Sequence, residues 1–256
     1  MIVIVPDMGH GNCVAINEGR ASLVVDCGAE NNAKGKNFFN LVKPKLNEER
    51  ELIITHYHFD HYNLLDKLPR KFFEKTYLPA LPPNRDSSKL ILEFLALSIA
   101  TKFKGYPLIP QILRVAKNIV PLIKGESFHT INKDWEVLWP DYNIIDKTNK
   151  IRIRNLQKEI EEIKSRLDEE LIEEFDYWYN VLTNAFFERH EEPRDRIEFK
   201  QKTQATPEVM KSLERAEKTF RPLANRTSLV TREIHGEFLF TGDIDETVLN
   251  LSLIHI

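Results

Sequence analysis

The first part of the chain alternates short apolar runs with polar turns, whereas the second part carries apolar residues at every third or fourth position. Ile2–Val5, Cys13–Ile16, Ser22–Val25, Leu52–Thr55 and Phe72–Leu78 read as strands, bounded by Gly, Pro or Asp. The turn Asn17-Glu18-Gly19-Arg20 pairs the second with the third, and Gly9 and Gly11 allow a tight turn after the first. Short helices are expected over Phe38–Leu46 and His61–Leu68. From Ser87 onward, Leu90, Ile91, Phe94, Leu95, Leu97 and Ile99 form one apolar face, which predicts a helix reaching Gly105. A further helix is expected over Pro110–Val120, with proline in its first turn. These two helices form either a lid or, as the preferred reading, a layer of the core. Ser127–Ile131 and Trp135–Trp139 then return the chain to a sheet.

The pattern changes after Lys147. Leu156, Ile160, Ile163, Leu167, Leu171, Phe175, Trp178 and Leu182 recur at helical spacing among Glu and Lys, predicting a long amphipathic helix to His190. Its stripe suits folding back on the same domain, or self-association or a protein partner through 147–190. Thr206 caps the next helix, Pro207 occupies its first turn, and Val209, Met210, Leu213, Ala216 and Phe220 supply its stripe. Residues 147–220 therefore read as an inserted helical hairpin between the segments 1–146 and 221–250 of one domain. Beyond Pro222, Thr227–Ile234 and Glu237–Phe240 form a hairpin about His235-Gly236, ending at Thr241-Gly242-Asp243.

Composition adds bounds. With 256 residues, 42% hydrophobic, 29% charged and a net charge of -3, the chain has the balance of an ordinary globular protein with one large core. The net charge names no polyanion partner. One window is locally basic: Lys102, Lys104, Arg114, Lys117 and Lys124 lie between Thr101 and Gly125 without an acid. The preferred reading of that window is a solvated helix face; the competing one is a phosphate-binding stripe, with Lys102, Lys104 and Lys117 as candidates for substrate binding. Cys13 and Cys27 are expected as reduced, buried thiols, which together with the lack of a signal peptide or membrane-length apolar run predicts a cytoplasmic protein without a membrane partner.

The densest chemistry is Thr55-His56-Tyr57-His58-Phe59-Asp60-His61, directly after the apolar run Leu52-Ile53-Ile54. His56 and His58 are two residues apart and point the same way from an extended chain, while Asp60 and His61 follow a turn and can serve a second position. Burying three imidazoles and a carboxylate without an ion would leave costly polar groups to satisfy, so the spacing points to metal ligation.

His56-x-His58-x-Asp60-His61, the strand-terminal Asp26 and Thr241-Gly242-Asp243 together resemble the metallo-β-lactamase superfamily. The resemblance implies an α/β fold: a four-layer αββα metallo-β-lactamase sandwich with a dinuclear site between the sheets. Asp7-Met8-Gly9-His10-Gly11-Asn12, Trp135-Glu136-Val137-Leu138-Trp139-Pro140 and Asn225-Arg226-Thr227-Ser228-Leu229-Val230 are similar to the hydrolase domain of competence (DNA-uptake) proteins and their stand-alone relatives. By that resemblance His56, His58 and Asn225 hold one ion, Asp60 and His61 a second, and Asp243 bridges them, with Asp26 behind the ligands. Asn225 stands where most relatives carry histidine. Two divalent ions are implied, zinc fitting best and manganese or iron being alternatives; a bridging water would attack the substrate, with Asp60 able to orient it. A nucleic-acid or nucleotide phosphodiester is the preferred substrate, small or polymeric. An ester, thioester or lactone hydrolase is the runner-up, and a non-catalytic metal-stabilised interaction module is the competing class. The last histidine ligand of the family is not found after Asp243, and Leu251–Ile256 resembles a non-native tail, so the second half is expected to be truncated.

Overall fold

The computed structural model describes residues 1–82, 85–103, 108–188 and 205–244. It divides into two compact units, one built from Met1–Ala80, Gln111–Asp141 and the described residues from Ala224, the other from Leu81–Pro110 and Tyr142–Leu223. The helical unit thus takes in the segment after Leu81, which the sequence pattern places with the hydrolase domain. The reason is packing: α2 (Arg85–Ala100) lies against α5 (Lys150–Lys164) and α6 (Glu169–Thr183).

The first unit holds two sheets. The larger has the order β1 (Ile2–Ile4), β2 (Val14–Glu18), β3 (Ala21–Val25), β4 (Glu49–Ile53), β5 (Phe73–Pro79) and β6 (Ala116–Leu122). Its first three strands pair antiparallel, and β3 to β6 run parallel. The smaller sheet is antiparallel, in the order β10 (Leu239–Phe240), β9 (Val230–Glu233), β8 (Lys133–Trp139) and β7 (Ser127–Thr130). Ile16, Leu23, Val25, Ile53, Tyr77 and Leu122 from the larger sheet meet Ile131, Trp135, Val137 and Leu229 in one buried cluster. Within it Trp135 has Phe128, Phe238 and Phe240 at ring separations of 6.0, 6.0 and 5.6 Å. Alternation along each strand decides which side chains enter this layer: on β8, Trp135, Val137 and Trp139 are buried, while Glu136 and Leu138 between them are only partly so. This mixed α/β, two-sheet arrangement is consistent with the metallo-β-lactamase sandwich implied by the resemblance.

The register of the parallel pair β3 and β4 positions the site. Val25 stands beside Ile53, so Asp26 and the chain leaving β4 emerge side by side at the carboxyl ends of parallel strands, where such sheets place ligands. α1 (Asn32–Asn37), capped by the Asn31 side chain, follows close behind.

Several elements differ from expectation: in place of the helix expected over His61–Leu68 the chain makes two short 3-10 turns, Phe59–His61 and Leu65–Lys67. The helix expected over Pro110–Val120 is α3 (Leu108–Val115), and the chain continues at once into β6. Ile119 and Val120 suit a strand, Pro121 disfavours helix at the residue before it, and the open edge of β5 offers hydrogen bonds. The single long helix after Lys147 is instead α4 (Tyr142–Thr148), α5 and α6. It breaks at Asp168, whose carboxylate caps α6 by accepting from the Leu171 amide at 2.9 Å. The stripe residues Leu156, Ile160, Ile163, Leu171, Phe175, Trp178 and Leu182 are all buried within the chain itself. Finally, α7 (Pro207–Arg226) runs through Pro222 to Arg226. The Trp139 indole donates to the Arg226 carbonyl at 2.6 Å, satisfying one acceptor of the last turn. The expected tail 251–256 and the loop 191–195 lie outside the described residues.

Candidate metal centre

Asp26 organises the site from behind. It is fully buried and adopts the left-handed conformation with φ 58°, which Asp tolerates better than most residues. Its carboxylate accepts from the Thr55 amide at 2.8 Å, the Thr55 hydroxyl at 2.8 Å and the Asn12 side-chain amide at 3.0 Å. It also lies 2.8 Å from His61 Nδ1. One carboxylate thereby ties the end of β3, the glycine-rich turn and the histidine loop together.

The same arrangement orients the imidazoles. His61 is held at Nδ1 by Asp26, which leaves Nε2 3.5 Å from the Asp243 carboxylate. His56 Nδ1 lies 3.1 Å from the Thr55 hydroxyl, and its Nε2 lies 3.7 Å from Asp243. Ring centroids of His56 are 4.5 Å from His58 and 4.1 Å from His61. His56, His58 and Asp243 each offer a ligand atom within 4.8 Å of the others. The fold therefore brings His56, His58, His61 and Asp243 together at one place. Holding one ring nitrogen so that the other faces an ion is the usual way of fixing a ligating histidine.

Charge follows from the same contacts. Burial holds the His56 imidazole well below its ordinary pKa, reinforced by His61 and His58, so it is neutral. For His61, burial pulls downward but is outweighed by the hydrogen bonds and charges of Asp243 and Asp26, which raise it to about 10. The His61 hydrogen bond in turn lowers the Asp243 carboxyl to about 2, against the opposing effect of burial. Asp243 is acceptor-only and partly exposed, placing a negative charge beside the buried imidazoles of His56 and His61.

The residues fit a metal. His56 Nε2 is buried with no hydrogen-bond partner among the described residues, as is Asn225 Oδ1. A neutral imidazole with an unused lone pair, next to a carboxylate, is a ligand set suited to zinc and similar divalent ions. Asn225 occupies the last turn of α7, and the Ser228 amide donates to its carbonyl at 3.1 Å. The Leu229 amide just beyond donates to the Thr55 carbonyl at 2.6 Å, which docks this junction on the histidine loop. Asp60 is half-buried and lies outside the group of three mutually close ligands. Its carbonyl accepts from the Asn12 amide at 3.3 Å.

Two glycines allow these close approaches. A Cβ on Gly28 would fall 1.8 Å from the Asp60 carbonyl oxygen, against backbone fixed by the Cys27 amide, which donates to the His61 carbonyl at 2.7 Å. Gly242 has φ 57°, and a Cβ there would stand 2.9 Å from Ser228 and 3.0 Å from Thr55. Gly28→Ala should destabilise the protein by about 1–3 kcal/mol, as overpacking against fixed backbone does. Chemical denaturation together with zinc titration checks this; unchanged stability and unchanged metal uptake would show that the loop yields freely.

The lysine window disperses. Lys117 lies on β6 and pairs with Glu74, and Lys124 pairs with Asp141 at 3.0 Å. The Arg114 guanidinium donates to the carbonyls of Leu65 and Leu68. Lys102 is exposed just past α2 with φ 55°, in the other unit, and Lys104 lies outside the described residues. Thr55 and Asn12 stand within the sequence motifs but have no role assigned there, and both support the site through Asp26. Parallel pairing of β3 and β4, which brings Thr55 beside Asp26, is the signal that finds Thr55.

Residues 6–83, which carry Asp26 and the histidine loop, match the family model of the Metallo-beta-lactamase superfamily. The match supports that superfamily for this stretch. A metallo-beta-lactamase family protein from Thermus thermophilus is similar at 18% identity over 54% of this chain and 51% of that one, with a TM-score of 0.31. A beta-lactamase domain protein from Burkholderia ambifaria is similar at 15% identity over 52% of this chain and 44% of that one, with a TM-score of 0.32. The chain spans about half the length of these solved structures. No curated protein matches it. Among the described residues no helix is long and apolar enough to cross a membrane.

Proposed function

We propose that the chain is a metal-dependent hydrolase of the metallo-β-lactamase type whose substrate is a nucleic-acid or nucleotide phosphodiester. The observation that carries this reading is the convergence of His56, His58 and His61 on Asp243, with two of the rings held from behind through Thr55 and Asp26. His56, His58, His61 and Asp243 would hold divalent ions, zinc first and manganese or iron as alternatives, with Asn225 as a weaker neutral ligand and Asp60 at the second position. Such ions, when bound, supply Lewis acidity and acidify a water molecule towards neutral pH.

The chain's own residues do the rest. Asp26 keeps the His61 ring in one orientation, and Thr55 does the same for His56, so the ligand nitrogens need no reorganisation. Asp60, on the loop between His58 and His61, would orient the attacking water and take up its proton. Divalent ions held there would favour a substrate bearing negative charge, as a phosphodiester does.

The test is direct. Protein stripped with a chelator and reloaded with zinc or manganese should hydrolyse bis(p-nitrophenyl) phosphate, and the stripped form should not. Turnover of p-nitrophenyl acetate without turnover of the phosphodiester would move the assignment to ester hydrolysis; bound metal with turnover of neither would favour the interaction module.

A further inference from the structure

The helical unit contains a cavity of about 880 Å³, lined by residues of α2, α4 and α5. Lys89, Lys147, Lys150, Arg154 and Lys164 line it, together with the acids Glu93 and Glu161. Glu93 is buried and already neutralised by Lys164 at 3.0 Å. Lys89, Lys147, Lys150 and Arg154 form no ion pair among the described residues and are exposed. Arg154 also lines an adjoining hollow of about 430 Å³ together with Lys158. Lys150, Arg154 and Lys158 follow one another at spacings of four along α5 and so form one row, and Lys147 at the end of α4 lines the same cavity beside it. Each helical step of four residues advances about 6 Å, comparable with the step between neighbouring phosphates on an extended strand.

We infer that this row is a binding track for the phosphate backbone of single-stranded nucleic acid. Concave surroundings dominated by one sign of charge concentrate counter-ions, and the unpaired cations here outnumber the acids that face them. Of those acids Glu93 is held by Lys164, and Glu161 is engaged by Gln157, whose side-chain amide donates to it at 2.9 Å. No aromatic side chain is among the residues lining either hollow, so there is no platform for stacking bases and the track reads charge in preference to sequence. The track lies wholly within the helical unit and needs no metal ligand.

The experiment is fluorescence anisotropy of a labelled, mixed-sequence single-stranded DNA oligonucleotide with the full chain in excess chelator. Working without metal separates this proposal from the hydrolase assignment, because loss of catalysis cannot alter the readout. Lys150→Gln/Arg154→Gln should weaken binding at least tenfold and reduce the slope of log K against log salt by about 1.4, at about 0.7 per phosphate contact for single strands. Lys211→Gln/Lys218→Gln, which removes two charges from α7 of the same unit, should leave both quantities nearly unchanged. Equal losses in the two variants would reduce the effect to net charge and overturn the track. So would absence of binding by the unmodified chain, or equal competition by inorganic phosphate at matched phosphate concentration, which would make the cavity a small-anion site.

Discussion

Asp26→Ala is expected to destabilise the two-sheet unit by about 3–5 kcal/mol, the range for removing one partner from a buried charged network. The carboxylate is the common acceptor for the Thr55 amide and hydroxyl, the Asn12 side chain and His61 Nδ1. Its loss leaves those buried donors without their acceptor. Alanine is also poorly suited to φ 58° at this position. By the usual proportionality, the thermal midpoint should fall by about 6–20 °C. Asp26→Asn should fall less, because it tolerates the backbone and retains one acceptor oxygen, but its amide would confront the Thr55 and His61 donors. Thermal unfolding of the two variants measures the difference; a midpoint within a degree or two of the parent for Asp26→Ala would refute the structural role.

His58→Ala should reduce metal-dependent hydrolysis by more than about 100-fold, since loss of a residue that merely supports a ligand already costs 10–100-fold. His58 shares a ligand group with His56 and Asp243, all within 4.8 Å, so its removal opens the set on one side. The contacts that tie the loop to Asp26 come from Thr55 and His61, so the fold should survive and thermal stability should change little. Metal content by elemental analysis should fall in parallel with turnover. Activity that persists in His58→Ala would remove the hydrolase assignment, and retained metal with lost activity would move His58 from ligation to substrate contact.

The legible part of the fold is the part whose energy is local. Short apolar runs bounded by turn residues disclose β2, β3, β4, β5 and β7, and alternation discloses β8, because burial on both faces or on one sets those patterns within the strand itself. Thr206 and Pro207 disclose the start of α7 because a cap acts within one turn. Where sequence and structure part, the cause differs from element to element. β6 reads as helix in the sequence because Ala116–Leu122 becomes a strand only by completing the edge of β5. The break at Asp168 is hidden because the apolar repeat continues across it unchanged.

For the site, the sequence alone determined the candidate ligand chemistry: three histidines and a carboxylate within six residues, with Asp26 and Asp243 at strand ends. Side-chain type and spacing are local properties, and they are sufficient to specify donors. Tertiary structure decided which donors converge, that Asp26 reaches His61 and Thr55 through the parallel register of β3 and β4, and that Lys117 and Lys124 are spent in ion pairs. It also brought Lys89 to the cavity that Lys147, Lys150 and Arg154 line, two segments far apart in the chain. Electrostatic fields and ligand geometry depend on separation in space, and only the packed chain sets that separation.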